Sequence, residues 1–378
     1  MVAPFDSLHL TPAVSPHPVP PPARGPQGET GRKKPRLTEA QAVFHVARHT
    51  VAAATAELPE LRPGTLLVEA HCSAISPGTE SLIFRGDLPE DWPLDSTLPS
   101  LAGTFRYPFK YGYALVGKVV EVGSEEDRDW LGRLVFAFHP HQDYAVIDRR
   151  DCQPLPKGMP AERALFLANM ETALSLVLDA APLAGERAMV FGQGVVGLLT
   201  TAVLAQFPLA ELITADPVAL RRERSMALGA GLAIDPAKGR ELAVLEECLF
   251  SEEGDGLDLA IEVSGQVEAL NQAIRLTGFD GRIVVGSWYG RTPGLVDLGG
   301  HFHRRRIRLL SSQVSTLNPC LSGRWSKSRR LQLAFEWLER LHPERLITHR
   351  FCLDACQEAF ELVADKHAGA LQVVFDYR

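Results

Sequence analysis

"AMVFGQGVVGLLTTAVLA", residues 188–205, decides the fold. It holds Gly192-Gln193-Gly194-Val195-Val196-Gly197, a GxGxxG between an apolar stretch and a proline-free stretch that continues to Gln206. Each glycine has a reason. Gly192 permits a tight turn after a strand, Gly194 lets the backbone approach a pyrophosphate, and Gly197 lets the following helix pack closely on the strand. The free N–H groups of that helix, with Val195 and Val196 in its first turn, then meet the phosphates at the positive end of the helix dipole. Asp216 ends the next apolar run, "LITAD", about twenty residues further on, where a carboxylate accepts hydrogen bonds from the ribose hydroxyls. It would repel a 2′-phosphate, so NAD is expected. Arg221 and Arg222 close behind it keep NADP as the alternative.

Around this loop, "RAMVFG", "AELITAD", "LDLAIEVSG", "GRIVVGS" and "RIRLLSSQ" alternate with helical runs such as 161–180 and 217–230. Alternation of this kind predicts βαβ units and a parallel sheet. Upstream the texture is β-rich: "QAVFHVA", a Pro63-Gly64 turn, "TLLVEAHCSAIS", "ALVGKVVEVG" and "GRLVFAF". At the far end "LQLAFEWLERL", "CQEAFELVADK" and "LQVVFDY" read as helix, helix, strand. Residues 1–37 are Pro- and Gly-rich with a basic cluster at Arg32, Lys33, Lys34 and Arg36, a composition expected to stay disordered.

Of 378 residues, 46% are hydrophobic and 22% charged, and the net charge is -7. Those values fit two globular domains and argue against a nucleic-acid-binding chain. No apolar run reaches the roughly 18 residues of a membrane span. No apolar core of a secretory signal is visible, and the six scattered cysteines suit a reducing compartment, so a cytoplasmic protein is expected. The basic runs 303–308 and 324–330 read as a solvated strand edge and a helix start. Anchoring of an acidic substrate or of cofactor phosphates is the sharper reading.

"GYALVGKVVEVG" (112–123) has the glycine spacing of GHExxGxVxxxG. With the mid-chain phosphate loop, "EVSGQVEALNQAIRLTGFDGRIVVGSWYG" (262–290) and "LITHRFCLDACQEAFELV" (346–363), it resembles the medium-chain dehydrogenase/reductase superfamily over roughly 40–378. The resemblance implies an α/β fold in which a GroES-like β-rich catalytic domain, 38–169 plus 312–378, is split around a Rossmann doubly wound parallel-sheet domain, 170–311. It implies an NAD(P)-dependent oxidoreductase acting on a small molecule in the cleft between them. Thr172 should approach the nicotinamide, and Gly286 and Ser287 should line its carboxamide end. The last strand of the cofactor sheet, "RIRLLSSQ", is the implied homodimer edge.

The same resemblance locates the positions that hold catalytic zinc in metal-dependent members. Here they are Pro77, Tyr113 (followed by Ala114 where those members have glutamate) and Ala168. Proline and alanine side chains cannot donate, so zinc is not expected and no metal ligand is assigned. His71, Cys72, Glu171, His139 and His141 are the scattered groups from which another site would have to be built. Thr79 falls where zinc alcohol dehydrogenases keep a proton-relaying hydroxyl. The "ISxGTE" run with Tyr113 resembles a zinc-less branch whose dehydrogenase oxidises a hydroxyethyl side chain in bacteriochlorophyll synthesis. This chain departs from it at Ala114 and in its tail, and the substrate is not carried over. Thr79 and Tyr113 are therefore the expected catalytic pair, with Arg106 or the nicotinamide cation as the charge that could activate the phenol. Secondary alcohol–ketone chemistry is the first reading. Quinone or enone reduction and a non-catalytic nucleotide-binding protein are the alternatives.

Overall fold

Period-two burial builds the N-terminal part. In Glu39–Ala47, "EAQAVFHVA", Ala40 and Ala42 are buried on alternate positions, and after the adjacent buried Val43 the alternation resumes at His45. The computed structural model describes residues 37–251, 255–365 and 369–377. The Pro-rich tail and its basic cluster lie outside them, apart from Leu37. Glu39–Ala47 pairs antiparallel with Thr50–Glu57 and with Phe109–Lys110. Thr50–Glu57 has little sequence signature, because "TVAAATAE" is mostly alanine, a weak strand former.

A second sheet is organised on Thr65–Ile75, which pairs antiparallel with Leu115–Val122 and Tyr144–Asp148. Leu134–Ala137 and Cys152–Pro154 extend it on one side. On the other, Gln372–Asp376 pairs antiparallel with Thr65–Ile75, placing Val373 opposite Ile75, and Ile347–Phe351 adds a parallel outer strand. The C-terminal segment thus completes the sheet that the N-terminal part begins.

Between these segments lies a six-stranded, all-parallel sheet. Its order is Leu232–Ile234, Glu211–Ala215, Arg187–Phe191, Leu257–Glu262, Thr277–Val285, Arg308–Ser311. Arg187–Phe191 is covered on both faces: Ala188, Met189, Val190 and Phe191 are all buried. Burial of each larger side chain contributes about 1.5–3 kcal/mol. The strand order reverses direction beside Arg187–Phe191, which opens a crevice at its carboxyl end, the usual ligand position in such sheets. The expected helix over 161–180 is two, Ala161–Ala164 and Leu167–Ala180, separated by a turn at Leu165 and Phe166. Leu167–Ala180 packs against the helix after the glycine loop, Val195–Leu204, and against Lys327–Leu341.

Arg330 secures that last contact. Its guanidinium is 1% exposed and donates to Glu171 Oε1 at 2.8 and 3.2 Å, to Ser175 Oγ at 2.5 Å and to the carbonyls of Val314 and Thr316. The basic run 324–330 is therefore solvated only in part. Arg305, in the other run, lies over the Phe250 ring at 4.1 Å.

Candidate active site

The glycine loop forms the expected strand–turn–helix. Gly192 has φ 92°, a left-handed turn that favours glycine, and its N–H donates to Ala215 O at 2.8 Å. Gly194 is the N-cap of Val195–Leu204, and Val195 and Val196 form the first turn. A Cβ on Gly197 would lie 1.9 Å from Gly192 O, so only glycine fits there, whereas a Cβ on Gly194 meets nothing within 4 Å. Gly197 therefore closes the turn, and Gly194 faces open space beside the unpaired N–H groups of the helix start. That is a cradle shaped for a pyrophosphate.

Asp216 sits at the end of the neighbouring strand, 3% exposed. Its Oδ2 accepts from Gln193 N at 2.8 Å and its Oδ1 from Val218 N at 2.9 Å. The carboxylate is thus fixed against the glycine loop. Arg221 approaches it at 3.8 Å and donates to Ala370 O. Arg222 donates to the carbonyls of Asp216 and Pro217 and lies 3.6 Å from Asp235. Both arginines are held by the protein itself.

The other strand ends converge on the same crevice. A Cβ on Gly192 would collide with Ser264, and Ser287 Oγ accepts from Gly265 N at 2.8 Å. Gly286 lies against Leu176 and Val263, where a Cβ would come within 2.6 Å of the leucine. Its lack of a side chain therefore also serves packing. Thr172, half-buried on Leu167–Ala180, donates its hydroxyl to Ala168 O at 3.0 Å. The loop beyond Ser287 crosses to the β-rich part, where Arg291 N donates to Asp87 O at 3.1 Å.

Asp87 follows the helix Pro77–Arg85, which carries Thr79 in its first turn. Ser76 is the N-cap, yet its hydroxyl caps nothing. Tyr113 donates its phenol to Ser76 Oγ instead and lies 3.4 Å from Thr79 Oγ1. The capping acceptor comes from Glu80, whose Oε1 takes Ser76 N–H at 2.7 Å. Glu80 Oε2 is 2.9 Å from His141 Nε2, His141 Nδ1 is 2.7 Å from Ser73 Oγ, and Ser73 Oγ is 2.7 Å from the Tyr377 hydroxyl. Glu80, His141 and Ser73 are completely buried. His141 is not on a surface loop: its ring lies against Gly112, where a Cβ would approach within 2.9 Å, and Gly112 has φ 128°. Tyr113 therefore follows a residue that must be glycine for His141 to fit. His139 is half-buried and accepts no role in this chain of contacts; burial lowers its pKa to about 4.

Burial pushes the Tyr113 phenol up to about 12. The hydrogen bonds to Ser76 and Thr79 lower it and the carboxylates of Glu80 and Asp95 raise it further. The charges that act on Tyr113 are thus carboxylates, and the exposed Arg106 is not among them. Tyr113 is a neutral phenol near pH 7, suited to donate a hydrogen bond and unsuited to act as a base.

The positions of a family zinc do not suit that ion. Ala114 and Ala168 belong to one apolar cluster against which Tyr113 packs, Pro77 is the first residue of its helix, and the Tyr113 hydroxyl is engaged with Ser76. Among the described residues no group of three or more His, Cys, Asp or Glu could hold a metal ion. Ser76 and Glu80 are residues of this cluster that sequence reasoning missed, and His141 was named without its partners Glu80 and Ser73. Glu80 is four residues after Ser76, one beyond the usual capping-box position, so the sequence pattern does not flag it.

Residues 195–331 match the family model described as zinc-binding dehydrogenase. L-threonine 3-dehydrogenase of Pyrococcus abyssi is 26% identical over 351 residues, 84% of this chain and 93% of that one. Among solved structures, a putative zinc-binding dehydrogenase from Sinorhizobium meliloti bound to NADP superposes with a TM-score of 0.71 at 20% identity, covering 90% of this chain and 100% of that one. A structure described as a short chain alcohol dehydrogenase from Escherichia coli complexed with NADH gives 0.71 at 18% identity, covering 90% and 100%. The solved structures share the fold, a parallel nucleotide-binding sheet beside an antiparallel β-rich part. Residues 195–331 thus carry the match to the zinc-binding dehydrogenase model, and over most of its length the chain is similar to dehydrogenases and shares their fold.

Proposed function

We propose that the protein transfers hydride between NAD and a secondary alcohol or ketone without a catalytic metal. The observation that carries this reading is the hydroxyl cluster of Tyr113, Ser76 and Thr79, in which Tyr113 takes a position that the family resemblance assigns to a zinc ligand. NAD, bound with its pyrophosphate on Gly192, Gly194, Val195, Val196 and Gly197, supplies the hydride acceptor. Thr172, Gly286 and Ser287 form the nicotinamide end of the crevice. Asp216 takes the ribose hydroxyls, and NAD is favoured over NADP because Arg221 and Arg222 are already engaged.

In the oxidation direction the substrate loses a hydride from carbon and a proton from oxygen. Thr79 Oγ1 accepts a hydrogen bond from the substrate hydroxyl, whose proton would be released to solvent as the hydride leaves carbon for NAD. Tyr113, kept neutral, turns its single O–H from Ser76 Oγ to the substrate oxygen as charge develops on it. In reduction the same donor steadies the alkoxide-like oxygen before it is protonated. The neutral phenol equally suits the enolate oxygen of an enone or quinone, which is the second reading.

The split into 38–169 plus 312–378 and 170–311 is supported by sheet membership. All six parallel strands fall in Arg187–Ser311, and the return strands Ile347–Phe351 and Gln372–Asp376 join the N-terminal sheet. A homodimer through Arg308–Ser311 is supported by its place at the open end of the parallel sheet with all four residues exposed. Among the described residues no helix is long and apolar enough to cross a membrane.

The test is a titration with NADH and NADPH, elemental analysis, and a turnover panel of secondary alcohols, quinones and enones. NADH tighter than NADPH, no stoichiometric zinc and alcohol oxidation are expected. Stoichiometric zinc whose removal abolishes turnover overturns the metal-free reading, and quinone turnover alone selects the second.

A further inference from the structure

Thr79 and Ile83 lie on one face of Pro77–Arg85, one turn or about 6 Å apart. Ile83 lines a cavity of about 110 Å³ whose walls include Phe105, Tyr107 and Phe109. Tyr107 stacks on Phe109 at 5.3 Å, and Phe105 meets the same ring edge-on at 5.7 Å. The space is on the order of one six-membered ring, and its walls present aromatic faces and edges.

Two guanidiniums also line it, Arg48 and Arg291, against one carboxylate, Glu90. Arg48 is oriented by Nε donating to Arg85 O at 3.0 Å, and it reaches Asp87 only at 3.9 Å because Arg85 holds Asp87 at 2.7 Å. Arg291 arrives on the loop from the nucleotide-binding sheet, tied down by its own N–H to Asp87 O. Its guanidinium makes no ion pair or hydrogen bond among the described residues. The lining therefore carries one uncompensated positive charge, and its unengaged fork matches a carboxylate in geometry.

We propose that the cavity binds the carboxylate end of a flat, ring-bearing substrate, with Arg48 and Arg291 as its clamp. This rests on the alcohol–ketone reading above, and it requires the ring's hydroxyl-bearing carbon to reach from Ile83 on the cavity wall to Thr79, one helical turn away. A para-substituted ring has about that span. Glu90 restricts the ligand to a single negative charge.

Benzoate and benzamide, titrated by calorimetry into the full chain with NAD present, test the clamp without chemistry. Benzoate is expected to bind about tenfold tighter than benzamide, and Arg291→Gln and Arg48→Gln each to remove most of that difference. Equal binding of the two, or benzoate affinity unchanged in both variants, overturns the proposal. Turnover of 4-(1-hydroxyethyl)benzoate against uncharged 1-phenylethanol separates it from the reading beneath it. Oxidation of both at the same kcat/KM sinks the clamp and leaves the dehydrogenase reading standing. Charge-dependent binding with oxidation of neither sinks the dehydrogenase reading and leaves the clamp.

Discussion

Glu80 and His141 meet at 2.9 Å with neither side chain exposed, and through Glu80 this contact reaches the hydroxyl cluster. The second carboxylate oxygen caps Ser76, whose own hydroxyl is left for Tyr113. Glu80→Ala leaves His141 and Ser76 N–H without an acceptor in a site closed to water. A loss of about 3–5 kcal/mol is expected, as for other broken buried pairs. Glu80→Gln keeps an oxygen for Ser76 and offers an N–H that the imidazole accepts once its proton moves to Nδ1, where it donates to Ser73 Oγ, at a cost of about 1 kcal/mol. Urea denaturation of the two variants against the wild type checks the order. Equal stability of all three would remove Glu80 from any supporting role.

Tyr113→Phe separates donor from filler. If the phenol steadies charge on the substrate oxygen, kcat falls roughly 10²-fold with NADH affinity retained. A filler leaves kcat within a fewfold. The pH dependence of stability follows from the phenol held at about 12, above its ordinary value of 10. Between those values the unfolded chain ionises first and binds fewer protons, so the folded state loses ground. The stabilisation is complete below pH 10 and lost as the pH rises toward about 12. The gap in denaturation midpoint between wild type and Tyr113→Phe should narrow over that window.

The glycine loop was legible because close backbone approaches admit no side chain, and Gly197, 1.9 Å in Cβ terms from Gly192 O, is such a case. The parallel sheet followed from apolar runs such as "RAMVFG" that are buried on both faces. Thr50–Glu57 was not legible, because alanines carry little strand preference and the strand exists through its pairing with Glu39–Ala47. Tyr113 and Thr79 stand out through the family resemblance of the segments that hold them. Their link through Ser76 could not be read there, since it requires a serine that gives up its own capping role. The burial and partners of His141 left no mark in the sequence, because Ser73 and Glu80 are more than 60 residues away. The basic run 324–330 hid a buried residue for the same reason. Arg330 is paired by Glu171, 159 residues earlier.

That pair yields its own prediction. Arg330→Ala strips Glu171 of its counter-charge and leaves the Val314 and Thr316 carbonyls unmatched, at an expected cost of about 3–5 kcal/mol. Arg330→Met with Glu171→Leu replaces both charges with apolar bulk and should recover much of the loss. Thermal melting of the single and double variants measures the recovery. A double variant no more stable than Arg330→Ala would show that the backbone carbonyls, not the ion pair, account for the cost.

Gly194→Ala and Gly197→Ala should fail in opposite ways. Gly197 has Gly192 O in the space where a methyl would go, so its replacement must push the helix Val195–Leu204 off the strand Arg187–Phe191. Melting temperature is expected to drop sharply, and loss of cofactor binding follows from loss of the fold. At Gly194 the backbone has φ -67°, which alanine adopts without strain, and its Cβ would meet no protein atom within 4 Å. The protein should fold and melt as the wild type does. The methyl would, however, stand in the space that a pyrophosphate occupies over the helix start, so NADH affinity should fall by about tenfold or more, equivalent to about 1.4 kcal/mol. Differential scanning calorimetry and NADH fluorescence titration on both variants read the two quantities separately. A Gly194→Ala protein that binds NADH as tightly as the wild type would move the cofactor's phosphates away from this loop, and with them the hydride chemistry assigned to the crevice.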